Sequence, residues 1–192
     1  MAIKVMAAHH DRHILPSRGM TLVEVLVALS VLSILLAIGV PAFNQFVISN
    51  RLSAYSSDML STLTLARSEA IKRNSQVVLC KSADGETCAG AGSWNQGWIE
   101  FADPNNNANR DAGEPIVYKM PALQSGYALD GVNGFISSVS YDSQGGVTQA
   151  GTFILCPPTP AASGQGQEIV VSASGRPRAS RIASCPYTQI IH

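Results

Sequence analysis

The stretch that decides the fold is residues 20–43, MTLVEVLVALSVLSILLAIGVPAF. No charged residue occurs between Val25 and Asn50. The apolar part is about 19 residues long, close to the length that a helix needs to cross a bilayer. The stretch therefore predicts one membrane-spanning helix over about residues 22–43, which Pro41 can kink without ending it.

The residues before this stretch predict its orientation. Lys4, Arg12 and Arg18 outweigh Asp11, and positive charges stay on the cytoplasmic side of a membrane. A cleaved secretory signal peptide is the other explanation for a basic segment followed by an apolar run. The run is too long for the apolar part of such a peptide, and no small-residue cleavage site follows it. We therefore expect a single-pass membrane protein with a cytoplasmic N-terminus.

Glu24 is unusual, because a carboxylate at the edge of an apolar span is unfavourable unless it is neutralised or paired. Its surroundings, RGMTLVE at residues 18–24, resemble the processing site of type IV prepilins and type II secretion pseudopilins. The resemblance implies that a prepilin peptidase cuts after Gly19 and methylates Met20, where the family usually has phenylalanine. Glu24 is then the fifth residue of the mature chain. It can neutralise the N-terminal amine of a neighbouring subunit during filament assembly.

Beyond Pro41 the pattern becomes that of an amphipathic helix. Apolar residues recur at spacings of three and four, which places them on one face of a helix. Glu69 and Arg73 can pair one turn apart, and Asn74 is a suitable stop. We expect one nearly continuous helix over residues 20–74, with its second part packed against a head. The stripe that would face the core comprises Leu52, Tyr55, Met59, Leu63, Ala66 and Ala70.

Residues 75–192 show the pattern of a β-rich head. Short strand-forming runs are separated by clusters of Gly, Asn, Ser and Pro, as in an antiparallel β domain. The segments ALQSGYALDGVNG (122–134) and PPTPAASGQGQ (157–167) are expected to be surface loops. The predicted strands are residues 76–81, 97–102, 115–120, 135–141, 152–156 and 168–173.

Three further segments are similar to the minor pilins of the FimT/GspH family. They are ARSEAIKRNSQVVLC (66–80), GWIEF (97–101) and RDAGE (110–114). The resemblance implies an α+β fold, in which a long N-terminal helix packs on a head of two antiparallel β-sheets. It also implies that a leader at residues 1–19 is removed. The protein would be anchored in the inner membrane with its head in the periplasm, and would join other pilins in an extracellular pilus.

Composition argues against catalysis. The formal net charge is zero, so electrostatic binding must be local. Histidine occurs only near the start and at the last residue, as His9, His10, His13 and His192. The body of the chain therefore lacks the residue needed for Ser-His-Asp or Cys-His catalysis and the usual zinc ligands. We expect no enzyme activity and no cofactor.

The four cysteines are Cys80, Cys88, Cys156 and Cys185, and they include no C-x-x-C pair. Their spacing argues against a zinc knuckle or a thioredoxin-type redox site. Three pairings are possible. The simplest is sequential, Cys80 with Cys88 and Cys156 with Cys185, in an oxidising compartment.

The segment DPNNNANRDAGE, residues 103–114, allows two interpretations. Its oxygen-bearing side chains have the spacing of an EF-hand-like calcium loop. Ala108, however, stands where such a loop has a glycine, and the flanking segments are predicted strands. Asn and Asp also favour turns through side-chain-to-backbone hydrogen bonds. We interpret the segment as a polar hairpin with no bound metal, and a calcium loop is the alternative. The spaced residues are Asp103, Asn105, Asn107, Asn109, Asp111 and Glu114.

Near the C-terminus, SASGRPRASR at residues 172–181 places three arginines within six positions, and no acidic residue follows Glu168. A Ser-Gly pair before the first arginine suits a tight hairpin turn. Pro177 restricts the returning segment to a sheet edge or an extended arm. Arg176 and Arg178 would then project to the same side, about 6.6 Å apart at ~3.3 Å per residue.

Exposed arginine forks match the geometry of phosphate oxygens. Gly175, Arg176 and Arg178 resemble the C-terminal GRxR motif of FimT proteins, which implies DNA binding without sequence specificity for natural transformation. We add Arg181 because it is close in sequence. Two alternatives stay open. The chain could be a structural or priming subunit whose arginines bind neighbouring pilins, or a type II secretion pseudopilin without DNA binding.

Overall fold

The computed structural model describes residues 19–158 and 165–186. One helix, α1, runs over Leu22–Arg73, close to the predicted bounds. The chain divides into two compact units, one ending at Ala42 and one beginning at Phe43. In the first unit, the most apolar 18-residue window has a mean hydropathy of 2.6 and no buried residue. This part of α1 is long and apolar enough to cross a membrane.

The second unit combines the rest of α1 with eight strands among the described residues. The fourth and last strands were not predicted as strands, and the others match predicted ones to within three residues at either end. The strands are β1 Gln76–Lys81, β2 Trp98–Asp103, β3 Ile116–Met120, β4 Ala128–Val132, β5 Ser138–Tyr141, β6 Gly151–Cys156, β7 Gly166–Val171 and β8 Pro177–Ile182.

The strands form two antiparallel sheets of four strands each. Sheet A has the order β3-β2-β1-β5, and sheet B has the order β4-β6-β7-β8. All pairings between neighbouring strands are antiparallel. The predicted fold class, a long N-terminal helix on a head of two antiparallel sheets, is confirmed.

The core lies between α1 and the two sheets. Met59, Leu63, Ala66 and Ala70 are fully buried on one stripe of the helix, as the helical spacing predicts. They belong to one cluster with residues of both sheets. Burial of this stripe is the main reason that the helix stays on the head, since propensity alone stabilises a helix weakly.

The C-terminal end of α1 is set by its own sequence. Asn74 has φ 50°, the left-handed conformation that commonly ends a helix. The N–H of Ser75 then donates to the carbonyl of Ala70 at 3.3 Å. Arg73 Nε lies 2.7 Å from Glu69 Oε2, so the predicted one-turn pair is present.

Two predictions for the loops need correction. Residues 122–134 are not a loop throughout, because β4 lies within them and pairs with β6. Asp130 and Gly131 form strands poorly on their own, and the pairing overrides this preference. At Gly131 a Cβ would overlap the carbonyl oxygen of Phe135. In the second predicted loop, residues 159–164 lie outside the described residues, and Gly166 and Gln167 belong to β7.

Candidate functional site

The arginine-rich segment folds as a hairpin that joins β7 to β8. The N–H of Gly175 donates to the carbonyl of Ser172 at 2.8 Å, and the N–H of Ser172 donates to the carbonyl of Arg176 at 3.4 Å. Gly175 is buried and has φ +74°, and a Cβ there would overlap the carbonyl oxygen of Gly145. The turn therefore requires glycine at this position.

The strand register decides where the arginine side chains point. Arg178 pairs with Val170, and Pro177 pairs with Val171. Directly paired residues share a face of the sheet. Val171 is fully buried and Val170 is 39% exposed, so Arg178 lies on the outer face of sheet B. Arg176 lies on the same face, because side chains alternate along an extended chain.

Arg181 lies on the other face of β8. It pairs with Gln167 and lines a groove with the helix residues Gln45, Ile48 and Leu52. The structure thus brings Arg176 and Arg178 together and does not bring Arg181 to them. Arg181 was included because it is close in sequence. It is three residues from Arg178, however, and an odd number of residues along a strand places two side chains on opposite faces of the sheet.

The three arginine side chains are free of partners within residues 19–158 and 165–186. All three residues are exposed. In that part of the chain every ion pair involves Glu69 or Glu86. Glu168 accepts a hydrogen bond from the hydroxyl of Ser180 at 2.9 Å instead. The three guanidinium groups therefore keep all their donors for an external anion.

A disulfide secures the end of this strand. Cys156, the last residue of β6, is bonded to Cys185, which follows β8 after two residues. Cys80 in β1 is bonded to Cys88. The bonds follow the sequential pairing favoured by the sequence. The bond to Cys185 ties the chain beyond β8 to the inner strand β6.

The segment 103–114 is a polar turn whose carboxylates are used internally. Asp103 accepts hydrogen bonds from the backbone N–H groups of Asn107 and Ala108 at 3.2 and 2.8 Å. Asp111 Oδ2 accepts from the side-chain amides of Asn105 and Asn107, each at 2.7 Å. No group of three acidic, histidine or cysteine side chains among the described residues could hold a metal ion. The bonds accepted by Asp103 are side-chain-to-backbone hydrogen bonds of the kind that polar turns use.

The other end of the described chain carries the residues predicted to act in processing and assembly. Gly19, Met20 and Glu24 are all exposed. Glu24 lies in the first turn of α1, and its N–H donates to the hydroxyl of Thr21 at 3.3 Å. Thr21 therefore caps the helix. Residues 1–18, most of the predicted leader, lie outside the described residues.

Comparison with known proteins identifies the family. The model of the family described as Type II transport protein GspH matches residues 56–175. The chain belongs to the GspH family. The prokaryotic N-terminal methylation motif also matches, over residues 15–40. Together these matches make the chain a minor pilin or pseudopilin of the GspH/FimT type.

Solved structures share the fold of this GspH-family chain. The minor pilin FimU of Pseudomonas aeruginosa, in space group P21, is 16% identical with a TM-score of 0.53, covering 73% of this chain and 98% of FimU. A second crystal form of FimU is 15% identical with a TM-score of 0.50, and the match covers 69% of this chain and 98% of FimU. The minor pseudopilin EpsH of Vibrio cholerae is 14% identical with a TM-score of 0.49, and the match covers 68% of this chain and 96% of EpsH. No curated protein matches the chain in sequence.

The match to the GspH family ends at Gly175, so Arg176 and Arg178 lie beyond it. Their role must be argued from this chain's own structure. Sequence reasoning also missed two residues that support the turn. Gly145 and the fully buried Tyr141 both lie against Gly175. Because they come from a distant segment, no local pattern near the arginines could reveal them.

Proposed function

We propose that this minor pilin binds DNA through Arg176 and Arg178 and captures it for natural transformation. The observation that carries the proposal is the pair of exposed guanidinium groups on one face of an edge strand, unpaired within the described part of the chain. Arginine contacts phosphate in bidentate geometry. The turn and the Cys156–Cys185 bond hold the pair in place before binding, which lowers the entropy lost on association.

The contacts favour the DNA backbone rather than the bases. The strand β8 reads PRASRI and contains no aromatic residue on which a base could stack. Phosphate contacts carry no direct sequence information, so binding should be independent of sequence. Two contacts predict a salt slope of about −1.8, at ~0.9 per phosphate on duplex DNA. Such weak binding is useful when several subunits act together.

Removing both arginines is expected to abolish DNA binding without unfolding the head. We would measure fluorescence polarisation of labelled duplex DNA at low salt, using the full chain in non-ionic detergent. Wild type should bind, and Arg176→Ala with Arg178→Ala should not, because the phosphate contacts are lost. The melting temperature should stay within about 2 °C, since exposed substitutions usually change stability little.

Arg181 provides a matched control on the same strand. Arg181→Ala removes the same charge as Arg178→Ala but from the opposite face, so it should weaken binding much less. Undiminished binding by the double variant would refute the site. Absence of binding by wild type would favour the alternative that the family description supports, a type II secretion or structural subunit whose head contacts other pilins.

We further propose that the chain is processed and assembled as a pilin. A prepilin peptidase would remove the leader at residues 1–19 by cutting after Gly19 and would methylate Met20. The apolar first part of α1 would anchor the protein in the inner membrane, with the head in the periplasm, until it enters the pilus. The chain itself would catalyse no reaction and need no cofactor.

Glu24 is expected to act in assembly rather than in folding. Its carboxylate is exposed in the single chain, and in a filament it could neutralise the N-terminal amine of a neighbour in a low-dielectric setting. Glu24→Ala should therefore reduce the amount of this subunit in sheared pili while the melting temperature of the head stays unchanged. Quantitative immunoblotting measures the first effect. Normal incorporation of the variant would contradict the proposed role.

A further inference from the structure

Glu100 is a fully buried carboxyl group in the middle of sheet A. It lies in β2 and pairs with Leu79 of β1, a member of the core cluster that includes the buried residues of α1. Glu100 therefore points toward the helix. Its exposed fraction is 0%, and neither carboxyl oxygen has a hydrogen-bond partner in the described chain. A buried carboxyl group without partners is strongly disfavoured in its charged form.

The charged and titratable groups around Glu100 come from the packed elements. From α1, the carboxylate of Glu69 and the guanidinium of Arg73 act on it. From β5, the hydroxyl of Tyr141 interacts electrostatically with the Glu100 carboxyl group. From β3, Tyr118 is its strand partner. Burial raises the pKa of Glu100 to about 8, with a further increase from Glu69 and a decrease from Arg73.

Tyr141 is the second buried polar group of this region. It is fully buried, and its hydroxyl has no hydrogen-bond partner within the described residues. Burial raises the pKa of the Tyr141 hydroxyl, Arg67 lowers it, and Glu100 raises it further. Ionised Glu100 would thus place a negative charge next to another group that has lost contact with water.

The same region supports the arginine hairpin. A Cβ on Gly175 would lie 3.0 Å from Cε1 of Tyr141, so the ring packs against the turn. Arg67 of α1 donates to the carbonyl of Gly145 at 2.9 Å, and that carbonyl also lies against Gly175. The end of α1, β5 and the hairpin therefore meet around Tyr141, which interacts electrostatically with Glu100.

We propose that Glu100 is a pH-sensitive latch beneath the end of α1 and the arginine hairpin. When protonated, it allows these elements to pack on sheet A, and when it ionises, the packing opens locally. The latch is a property of the fold and does not depend on whether the hairpin binds DNA.

The direction of the pH effect follows from the two pKa values. The pKa of the Glu100 carboxyl is raised from 4.5 in the unfolded chain to about 8 in the fold. The contribution of the Glu100 proton to the free energy of unfolding is therefore complete below pH 4.5, and it is lost as the pH rises toward 8. Between these values the folded state holds one more proton, so the unfolding equilibrium constant rises about tenfold per pH unit.

Urea unfolding of the full chain in detergent at several pH values tests the latch. Relative to Glu100→Gln, the wild-type unfolding constant should rise roughly 100-fold between pH 5 and pH 7. Glu86→Gln, which removes an exposed carboxylate, should follow the wild type. The proposal is overturned if the ratio of the wild-type unfolding constant to that of Glu100→Gln does not change with pH.

Hydrogen exchange on the wild type shows whether the opening is local, and it serves if Glu100→Gln fails to fold. After correction for intrinsic rates, residues 66–75, 141–147 and 172–178 should open with a larger equilibrium constant than β6, and this constant should increase from pH 6 to pH 9, because β6 opens only through global unfolding. Opening constants of these segments equal to that of β6 at every pH would indicate global unfolding alone and overturn the latch. So would unchanged protection in all of these segments.

Discussion

Gly175→Ala is expected to destroy the arginine hairpin without changing the charge of the protein. The residue has φ +74°, and an alanine held in this region is strained by about 1 kcal/mol or more. Its Cβ would also overlap the backbone carbonyl of Gly145, which cannot move like a flexible side chain. We expect a total loss of about 2–4 kcal/mol, or a melting temperature lower by roughly 4–16 °C.

DNA binding by Gly175→Ala should fall as far as in the variant that lacks both arginines. The guanidinium groups would still be present, but the turn that places them on one face would be lost. Gly113→Ala is the matched control, because Gly113 also has positive φ, +100°, but nothing lies within 4 Å of its added Cβ. It should lose only about 1 kcal/mol and should bind DNA normally. Normal binding and melting of Gly175→Ala would show that the turn is not required.

Loss of the Cys156–Cys185 bond is expected to have the second large effect. The two cysteines are 29 residues apart, and chain-entropy arguments give about 3–4 kcal/mol for a loop of this length. Cys156→Ser with Cys185→Ser should lower the free energy of unfolding by that amount in urea titration. It should also weaken DNA binding, because the bond holds the segment after β8 against β6.

Removing the Cys80–Cys88 bond is the control that separates the loss of stability from the loss of DNA binding. Its cysteines are only 8 residues apart, which gives about 2–3 kcal/mol by the same argument. It lies at β1 in sheet A, so its removal should lower stability without changing DNA affinity. If both double variants kept wild-type DNA affinity, the bond to Cys185 would not be needed to order the arginine strand.

Several features of this protein follow from local sequence. The helix up to Arg73 is visible because an uncharged apolar run continues into a stripe at helical spacing. The strand β1 is visible because QVVLC is a run of strand-forming residues between Asn-Ser and polar turns. Gly175 indicates a turn because glycine readily adopts positive φ. Pro177 indicates an edge segment because proline fixes its own φ and donates no backbone hydrogen bond.

Features that depend on distant residues were beyond sequence reasoning. The strand β4 contains Asp130 and Gly131, and its own residues do not favour a strand. It forms because β6 supplies its hydrogen bonds. The face occupied by Arg181 depends on the register with β7. The burial of Glu100 depends on which face of β2 meets α1, and alternation within GWIEF leaves this choice open.

The amino-acid sequence by itself determined the apolar anchor, the processing motif, the helix-plus-β architecture and the presence of a basic C-terminal strand. These properties rest on composition and on the conformational limits of single residues, which act over a few positions. Only the tertiary structure decided that Arg176 and Arg178 share a face of sheet B, that Arg181 lies on the other face, that Tyr141 packs against the hairpin, and that Glu100 is buried. Register and packing join segments far apart in the chain, and their energies do not appear in any local stretch.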